Sequence, residues 1–236
     1  MKPLPLLILL TLIGFPSFLS AQWTLGVEGG AVRTWQDYGD TPLPEDARTH
    51  LNRVQLSAQV YLRLTRQIWI GLEPSYAQRG AACLPGFGGN AFFVGDSRLY
   101  LDYWYLPVFF QYRQPMLKGR WELYGKVGVG RSLMMRSVEE NETTGARMTW
   151  SRFFPNPFNP FNGAEMGWSS SLGLARNWNQ HQLFLGINHY RSWQDAVPGL
   201  PSLHRSISLV IGYGWHRDPA SFLFQKIRRK RRQDGS

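Results

Sequence analysis

The sequence predicts an all-β protein, more narrowly an eight-stranded antiparallel up-and-down transmembrane β-barrel. Three observations predict this fold class. The 236 residues include 24 Gly, 10 Trp, 10 Tyr and 14 Phe, and this aromatic and Gly content favours strands and tight turns over helices. The charged fraction of 18% is low for a soluble protein. Eight segments have about the length that a tilted membrane-spanning strand needs. The connections between them alternate between short and long, as in outer-membrane barrels.

Residues 1–21 have the features of a secretory signal peptide. Lys2 provides the positive start, residues 6–13 form an apolar core, and Ser20 and Ala21 form a cleavage site of small residues. The mature chain is therefore expected to begin at Gln22 and to reach the outer membrane after Sec-type export. An uncleaved anchor helix is the alternative, although the apolar stretch is short for a bilayer span.

Residues 22–218 are expected to form the barrel. The strand candidates lie at about 23–35, 52–65, 67–79, 99–113, 121–137, 167–177, 181–192 and 204–217. Side chains alternate between two faces, and the third candidate shows this by opposing Ile68, Ile70 and Leu72 to Glu73, Ser75 and Arg79. The fourth candidate is apolar on both faces, so its register stays open.

The connections predict an orientation. Three are short, around residue 66, at 114–120 and at 178–180, and four are long, at 36–51, 80–98, 138–166 and 193–203. In outer-membrane barrels the short turns are periplasmic and the long loops extracellular. An even number of strands then places both ends of the barrel domain on the periplasmic side.

Tryptophan residues at the strand ends predict two aromatic girdles. Trp favours the membrane–water interface because its ring prefers apolar contact while its N–H prefers water. The girdle candidates are Trp23, Trp35, Trp69, Trp121, Trp168, Trp178, Trp193 and Trp215.

Charged residues within the strands are expected to point into the barrel. A Lys or Arg on the lipid face costs about 2–4 kcal/mol at the membrane midplane. Side chains just fill an eight-stranded barrel, so we expect paired charges and no open pore. The predicted interior residues are Glu28, Arg53, Arg63, Glu73, Glu122 and Lys126.

Three segments resemble the PorT-like outer-membrane β-barrel proteins of Bacteroidota, which share the OmpA/OmpX-type eight-stranded barrel. Residues 71–81, Gly-Leu-Glu-Pro-Ser-Tyr-Ala-Gln-Arg-Gly-Ala, resemble the third strand of that family. Residues 100–112 resemble its next strand, with a longer spacing before Pro107, and residues 124–130 its fifth. The resemblance implies an eight-stranded barrel in the outer membrane. Some relatives are linked to type IX secretion and gliding, but no residue of this chain marks that role.

Two segments outside the strands are candidates for partner contact. The third long loop repeats Asn-Pro-Phe, with Phe153, Phe154, Phe158 and Phe161 as possible contact residues, because exposed apolar clusters mark contact surfaces. A loop packed over the barrel is the alternative. The tail 219–236 carries six cations within 226–232. Binding to anionic headgroups and a solvated tail are both open for it.

No catalytic, cofactor-binding or metal-ligating residue is predicted. His189 and Ser192 are three residues apart, which places them on opposite faces of a strand and argues against a dyad. The acidic residues of the first long loop lack a cation-binding spacing. Cys83 is the single cysteine, so no intrachain disulfide can form.

The predicted function is a non-enzymatic outer-membrane protein with a structural or interaction role, such as an accessory of an envelope or secretion assembly. The expected partners are outer-membrane lipid and other envelope proteins, with no nucleic acid and a monomeric barrel. One alternative is a barrel enzyme acting on lipid or peptide. Another is a secreted lipocalin-like binder, which would bury its apolar face inside.

Overall fold

The computed structural model describes residues 22–37, 50–83, 97–117, 120–141, 144–151, 164–194 and 203–217. They form ten strands of one antiparallel sheet. The strands are β1 (Trp23–Asp37), β2 (Leu51–Arg63), β3 (Ile68–Leu72), β4 (Ser75–Cys83), β5 (Ser97–Met116), β6 (Trp121–Asn141), β7 (Arg147–Ser151), β8 (Ala164–Trp178), β9 (His181–Ser192) and β10 (Leu203–Arg217). Within these ranges, no helix has the length and hydropathy of a membrane-spanning segment.

The sheet closes into a ring of eight strand positions. β1 pairs with both β2 and β10, and β5 pairs with β6. β3 and β4 occupy one position, because both lie between β2 and β5. The predicted third strand is therefore correct in place but interrupted at Pro74, which has no N–H to donate. The all-β, eight-stranded, up-and-down barrel predicted from the sequence is confirmed.

The predicted short connections meet at one end of the barrel, which we call the turn end; the opposite end is the loop end. Gln22 and Arg217, the first and last residues that the structure describes, also lie at the turn end. The turn between β8 and β9 has Asn179 with φ of 54°, a left-handed conformation that Asn adopts more readily than most residues.

The outer surface of the ring is apolar and its interior is polar, the reverse of a soluble protein. Large side chains such as Leu56, Leu172 and Ile211 are about 60% exposed outside, while Glu28, Lys126 and Ser132 are buried inside. The lipocalin-like alternative is therefore wrong, since it requires the apolar face inside. A closed ring with a lipid-compatible exterior defines a transmembrane β-barrel.

At the loop end the structure differs from the predicted strands and loops. β6 continues to Asn141 and pairs with β7 inside the segment that the sequence analysis assigned to a loop. β4 pairs with β2 over three residue pairs, ending at Ala77, and then leans into the barrel. There the Thr34 hydroxyl of β1 donates to the Gly80 carbonyl oxygen at 2.8 Å, and Gly80 has a φ of 152° that favours glycine.

The fourth predicted strand is β5, and its open register is now defined. Leu106, Val108 and Phe110 face outward and are about half exposed. The alternate residues of β5 point inward, and at the loop end Leu99, Leu101 and Tyr103 form a buried apolar cluster with Met134 of β6. Within this cluster, Leu99 and Leu101 pair with Ala81 and Arg79 of β4.

Several predicted features lie outside the described residues. They are the signal peptide 1–21, the Asn-Pro-Phe residues Phe153, Phe154, Phe158 and Phe161, and the basic tail 219–236.

Candidate functional site: the barrel interior

Lys126 of β6 lies at the centre of a buried ion cluster, which we call the Lys126 cluster. Its Nζ lies 2.7 and 2.8 Å from the two carboxylate oxygens of Glu73 and 3.5 Å from Oε2 of Glu28. The three side chains are at most 5% exposed. Three wall positions, namely β1, β6 and the break between β3 and β4, therefore each contribute a charge to the same point of the interior.

Neutral donors satisfy the remaining oxygens of the Lys126 cluster. Gln59 Nε2 donates to Glu28 Oε2 at 2.7 Å, and Asn188 Nδ2 donates to Glu28 Oε1 at 2.8 Å. The Tyr61 hydroxyl donates to Glu73. Buried carboxylates require this degree of hydrogen bonding, because an unpaired buried charge costs several kcal/mol, on the order of 3–5.

A second cluster, the Arg79 cluster, lies closer to the loop end. Glu165 of β8 forms an ion pair with Arg79 of β4, and its other oxygen lies 2.9 Å from Nδ1 of His204. The Tyr190 hydroxyl donates to Glu165 at 3.1 Å. The Arg79 guanidinium lies 3.6 Å from the centre of the Tyr190 ring, a distance typical of a cation–π contact.

A third group of polar side chains closes the turn end. Arg113 lies 3.7 Å from Glu122 and over the ring of Trp69, at 4.4 Å. Gln182 donates to Glu122 at 3.2 Å. Three layers of paired side chains thus fill the barrel from one end to the other.

Little space is left between these layers. A central cavity of about 30 Å³ lies between the Lys126 and Arg79 clusters and is lined by Glu73, Ser75, Tyr105 and Asn188, among others. A water molecule needs about 10–15 Å³ of such volume, so the cavity has room for about two or three waters. That is far too small for a continuous channel.

The structure brings four of the six predicted interior charges into ion pairs: Glu28, Glu73, Glu122 and Lys126. The other two lie at opposite ends. Arg63 donates to the backbone oxygens of Thr65 and Arg66 at the turn end. Arg53 lies over the Tyr100 ring at 4.2 Å, at the loop end.

Arg53 borders an open polar pocket of about 310 Å³ at the loop end. Asp102 and Arg136 form an ion pair there at 2.7 Å. Glu140 of β6 accepts hydrogen bonds from Arg147 of β7, which hold the pKa of the Glu140 carboxyl below its ordinary value. The pocket carries both charge signs, so it does not select an ion of one sign.

Trp69 corrects the predicted girdles. It is 7% exposed and packs with Tyr61 and Phe109 in the barrel interior. Its position has the same strand parity as Glu73, so it points inward. The other seven candidates lie on outward positions. Trp23 packs against Trp215 at the turn end, with ring centres 5.3 Å apart. Their place at a membrane interface stays a prediction.

The arrangement offers little for catalysis. His189 and Ser192 lie on opposite faces, as predicted. Ser192 is instead beside His204, but its hydroxyl oxygen accepts the His204 backbone N–H at 2.8 Å. The His204 imidazole is held by Glu165, and all three residues are at most 1% exposed. Among the described residues there is also no group of three or more His, Cys, Asp or Glu that could hold a metal ion.

Sequence reasoning placed Arg79 on the inner face but missed Glu165 and His204. The sequence places Glu165 within the predicted long loop 138–166 and His204 at the start of the predicted strand 204–217. Strand parity could have found both, since Glu165 alternates in step with Ser169 and His204 with Ser206. Strand parity does not predict which of the inward-facing residues contact each other across the barrel.

The fold and its interior define a closed transmembrane barrel, and known structures were compared with it. Neisserial surface protein A aligns with 9% identity and a TM-score of 0.48, covering 81% of this chain and 96% of its own. A major outer membrane protein of Thermus thermophilus aligns with 11% identity and a TM-score of 0.47, covering 83% of this chain and 99% of its own. OprG of Pseudomonas aeruginosa aligns with 12% identity and a TM-score of 0.46, covering 84% of this chain and 97% of its own. At these low values the barrel assignment rests on the chain's own closed ring.

No protein family matches the sequence, and no curated protein matches it significantly.

Proposed function

We propose that the chain is a closed, non-enzymatic outer-membrane barrel that acts through its surface as a structural or interaction protein. The single observation that carries this proposal is the filled interior. The Lys126 and Arg79 clusters cross the lumen, and the cavity between them is about 30 Å³. Transport through the barrel would require breaking buried ion pairs. We therefore expect the barrel to act through its contacts with lipid and with other envelope proteins.

In this proposal the turn end is periplasmic and the loop end faces outward, because short turns are periplasmic in outer-membrane barrels. Export through a signal peptide cleaved after Ala21 belongs to the same proposal. The resemblance of residues 71–81 to PorT-like proteins supports membership of that family and a role as an accessory of an envelope or secretion assembly. The Asn-Pro-Phe loop and the basic tail are the segments proposed to contact such partners.

Two measurements test the closed outer-membrane barrel. Cell fractionation with heat-modifiable gel migration is expected to recover a folded barrel in the outer membrane. Purified barrel in planar bilayers is expected to give no stable conductance of porin size. Recovery from the soluble periplasm contradicts the location, and large steady channels contradict the closed interior.

Deleting residues 153–161 tests the interaction role. The deletion leaves all ten strands intact, so we expect normal insertion together with loss of proteins that copurify with the full chain. Normal copurification would remove this loop as the contact site, and failed insertion would favour a loop packed on the barrel.

A further inference from the structure

A lateral groove crosses the lipid-facing surface of β5, β6, β8 and β9. Its volume is about 640 Å³. Gly125 and Ser170 form its floor, and apolar side chains form its walls, among them Tyr112, Leu172 and Ile187. His189 lies at its end nearest the loop end of the barrel.

The lateral groove exists because a side chain is missing from an otherwise apolar wall. A Cβ added at Gly125 would meet no atom closer than 3.9 Å. On the same face of β6, Leu123 and Val127 are 40% and 58% exposed. A depression of this kind on a lipid-facing wall is filled by hydrocarbon, because no water is available there.

Beyond the end of the lateral groove lies an arginine patch, formed by Arg33, Arg191 and Arg205 on outward positions. Arg205 of β10 is directly opposite Arg191 of β9. Trp35 lies opposite Arg205 on one side, and Trp168 lies opposite Arg191 on the other. Trp–Arg–Arg–Trp therefore runs as one row across four neighbouring strands, near the loop end.

Among the described residues, the arginine patch has more positive than negative charge. Its ion pair there is that of Arg205 with Asp37. Three arginines against that one carboxylate leave a charge of +2 within this part of the chain. Like charges directly opposite in neighbouring strands are destabilising, and Nε of Arg205 is buried without a hydrogen-bond acceptor. An external anion at this row would offset the repulsion between the two facing arginines.

The lateral groove and the arginine patch adjoin each other. His189 precedes Arg191 by two residues on the same face of β9, a separation of about 7 Å along a strand. The His189 ring packs against Trp168 with their centres 5.1 Å apart. An anion at the patch is therefore close enough to be attached to a chain lying in the groove.

We propose that this surface binds one anionic phospholipid, with its phosphate on Arg191 and Arg205 and an acyl chain in the lateral groove. Arginine binds phosphate through paired hydrogen bonds, and flanking Trp side chains suit the headgroup level of a bilayer. The inference needs the membrane-spanning barrel but neither its cellular location nor its interaction role.

Native mass spectrometry of the full-length barrel in detergent tests the headgroup half of the site. The probes are dioleoyl phosphatidylglycerol and dioleoyl phosphatidylcholine, which share their acyl chains. The wild type is expected to retain the anionic lipid preferentially, and Arg191→Gln and Arg205→Gln are each expected to lower that preference about fivefold. Arg191→Lys keeps the charge and should keep most of the preference.

Arg176→Gln is the matched headgroup control. Arg176 also faces outward beside a tryptophan, Trp121, at 5.7 Å, but at the turn end. It should leave the lipid preference unchanged. Equal retention of the two lipids by the wild type, or an equal loss in Arg176→Gln, overturns the proposal.

Gly125→Leu tests the groove half, because a leucine fills the floor. Gly29→Leu is its control, since Gly29 also faces outward, with no atom closer than 3.7 Å to an added Cβ, but lies on β1. Gly125→Leu should release both lipids more readily than Gly29→Leu, and equal retention by the two variants overturns the assignment of the groove. Heat-modifiable migration of each variant is scored separately, so a folding failure is not read as lost binding.

Discussion

Replacing Lys126 by Met is the most informative perturbation of the interior. The change keeps a long side chain in the barrel but removes the cation between Glu28 and Glu73. At separations of 3.5 and 2.7 Å, the lost attractions amount to about 5 and 6 kcal/mol at an effective dielectric constant of about 20. Relief of the lysine's own desolvation offsets much of this, so the expected loss is about 3–5 kcal/mol.

The loss is measured as the change in free energy of unfolding of the barrel in lipid vesicles, by urea titration followed with tryptophan fluorescence. A double-mutant cycle isolates the pair. Glu73→Gln in the Lys126→Met background removes one of the two unpaired carboxylates, and the coupling energy should be about 2–3 kcal/mol. Arg136→Gln is the control, because the Arg136 side chain is 53% exposed and its ion pair should contribute about 1 kcal/mol or less.

A Lys126→Met barrel whose stability lies within about 1 kcal/mol of the wild type would refute this reasoning, since it would place the cluster in a solvated and not a desolvated interior. A coupling energy near zero would refute the direct pairing of Lys126 with Glu73. Either result would also weaken the argument that the barrel is closed.

Three further predictions use the same unfolding assay or gel migration. Trp69→Ala should cost about 3–5 kcal/mol, because the ring is buried among core side chains; Trp178→Ala, where the ring is 41% exposed, should cost clearly less, and a reversed order would return Trp69 to the outer surface. Gly71→Val should abolish the compact heat-modifiable form, because its Cβ would overlap the Tyr61 ring; normal folding would contradict that packing. Asn179→Val should cost about 1–2 kcal/mol, because a β-branched residue resists a left-handed φ, while Asn179→Gly should match the wild type.

Strand positions and faces were predictable from the sequence because both follow from local periodicity. Alternation over Glu73, Ser75 and Arg79 was sufficient to place all three inside. The same rule, applied strictly, would also have placed Trp69 inside. Its assignment to a girdle came from the general preference of Trp for interfaces, and the parity of the strand overrode that preference.

The ion-pair partners were not predictable, because they depend on the register of distant strands and on which side chains reach across the barrel. Arg79 and Glu165 are 86 residues apart in the chain. The inward lean of β4 was not predictable either, because no sequence pattern marked that β4 pairs with β2 only as far as Ala77. The β6–β7 hairpin lacked a strand signal because β7 has only five residues, Arg147–Ser151, fewer than a membrane-spanning strand needs.

The buried clusters limit how this barrel can act. In a wider barrel the interior charges would face water, and a solute could displace them at little cost. Here Lys126 and Glu165 each form ion pairs with partners from two other wall positions of the barrel, so moving one side chain leaves charges unpaired at a cost of several kcal/mol, about 3–5 for each broken pair. A change of state in the lumen is therefore much more costly than a change at the surface. The proposed recognition of lipid along the arginine patch, and of protein at the loop end, would require no rearrangement of these clusters.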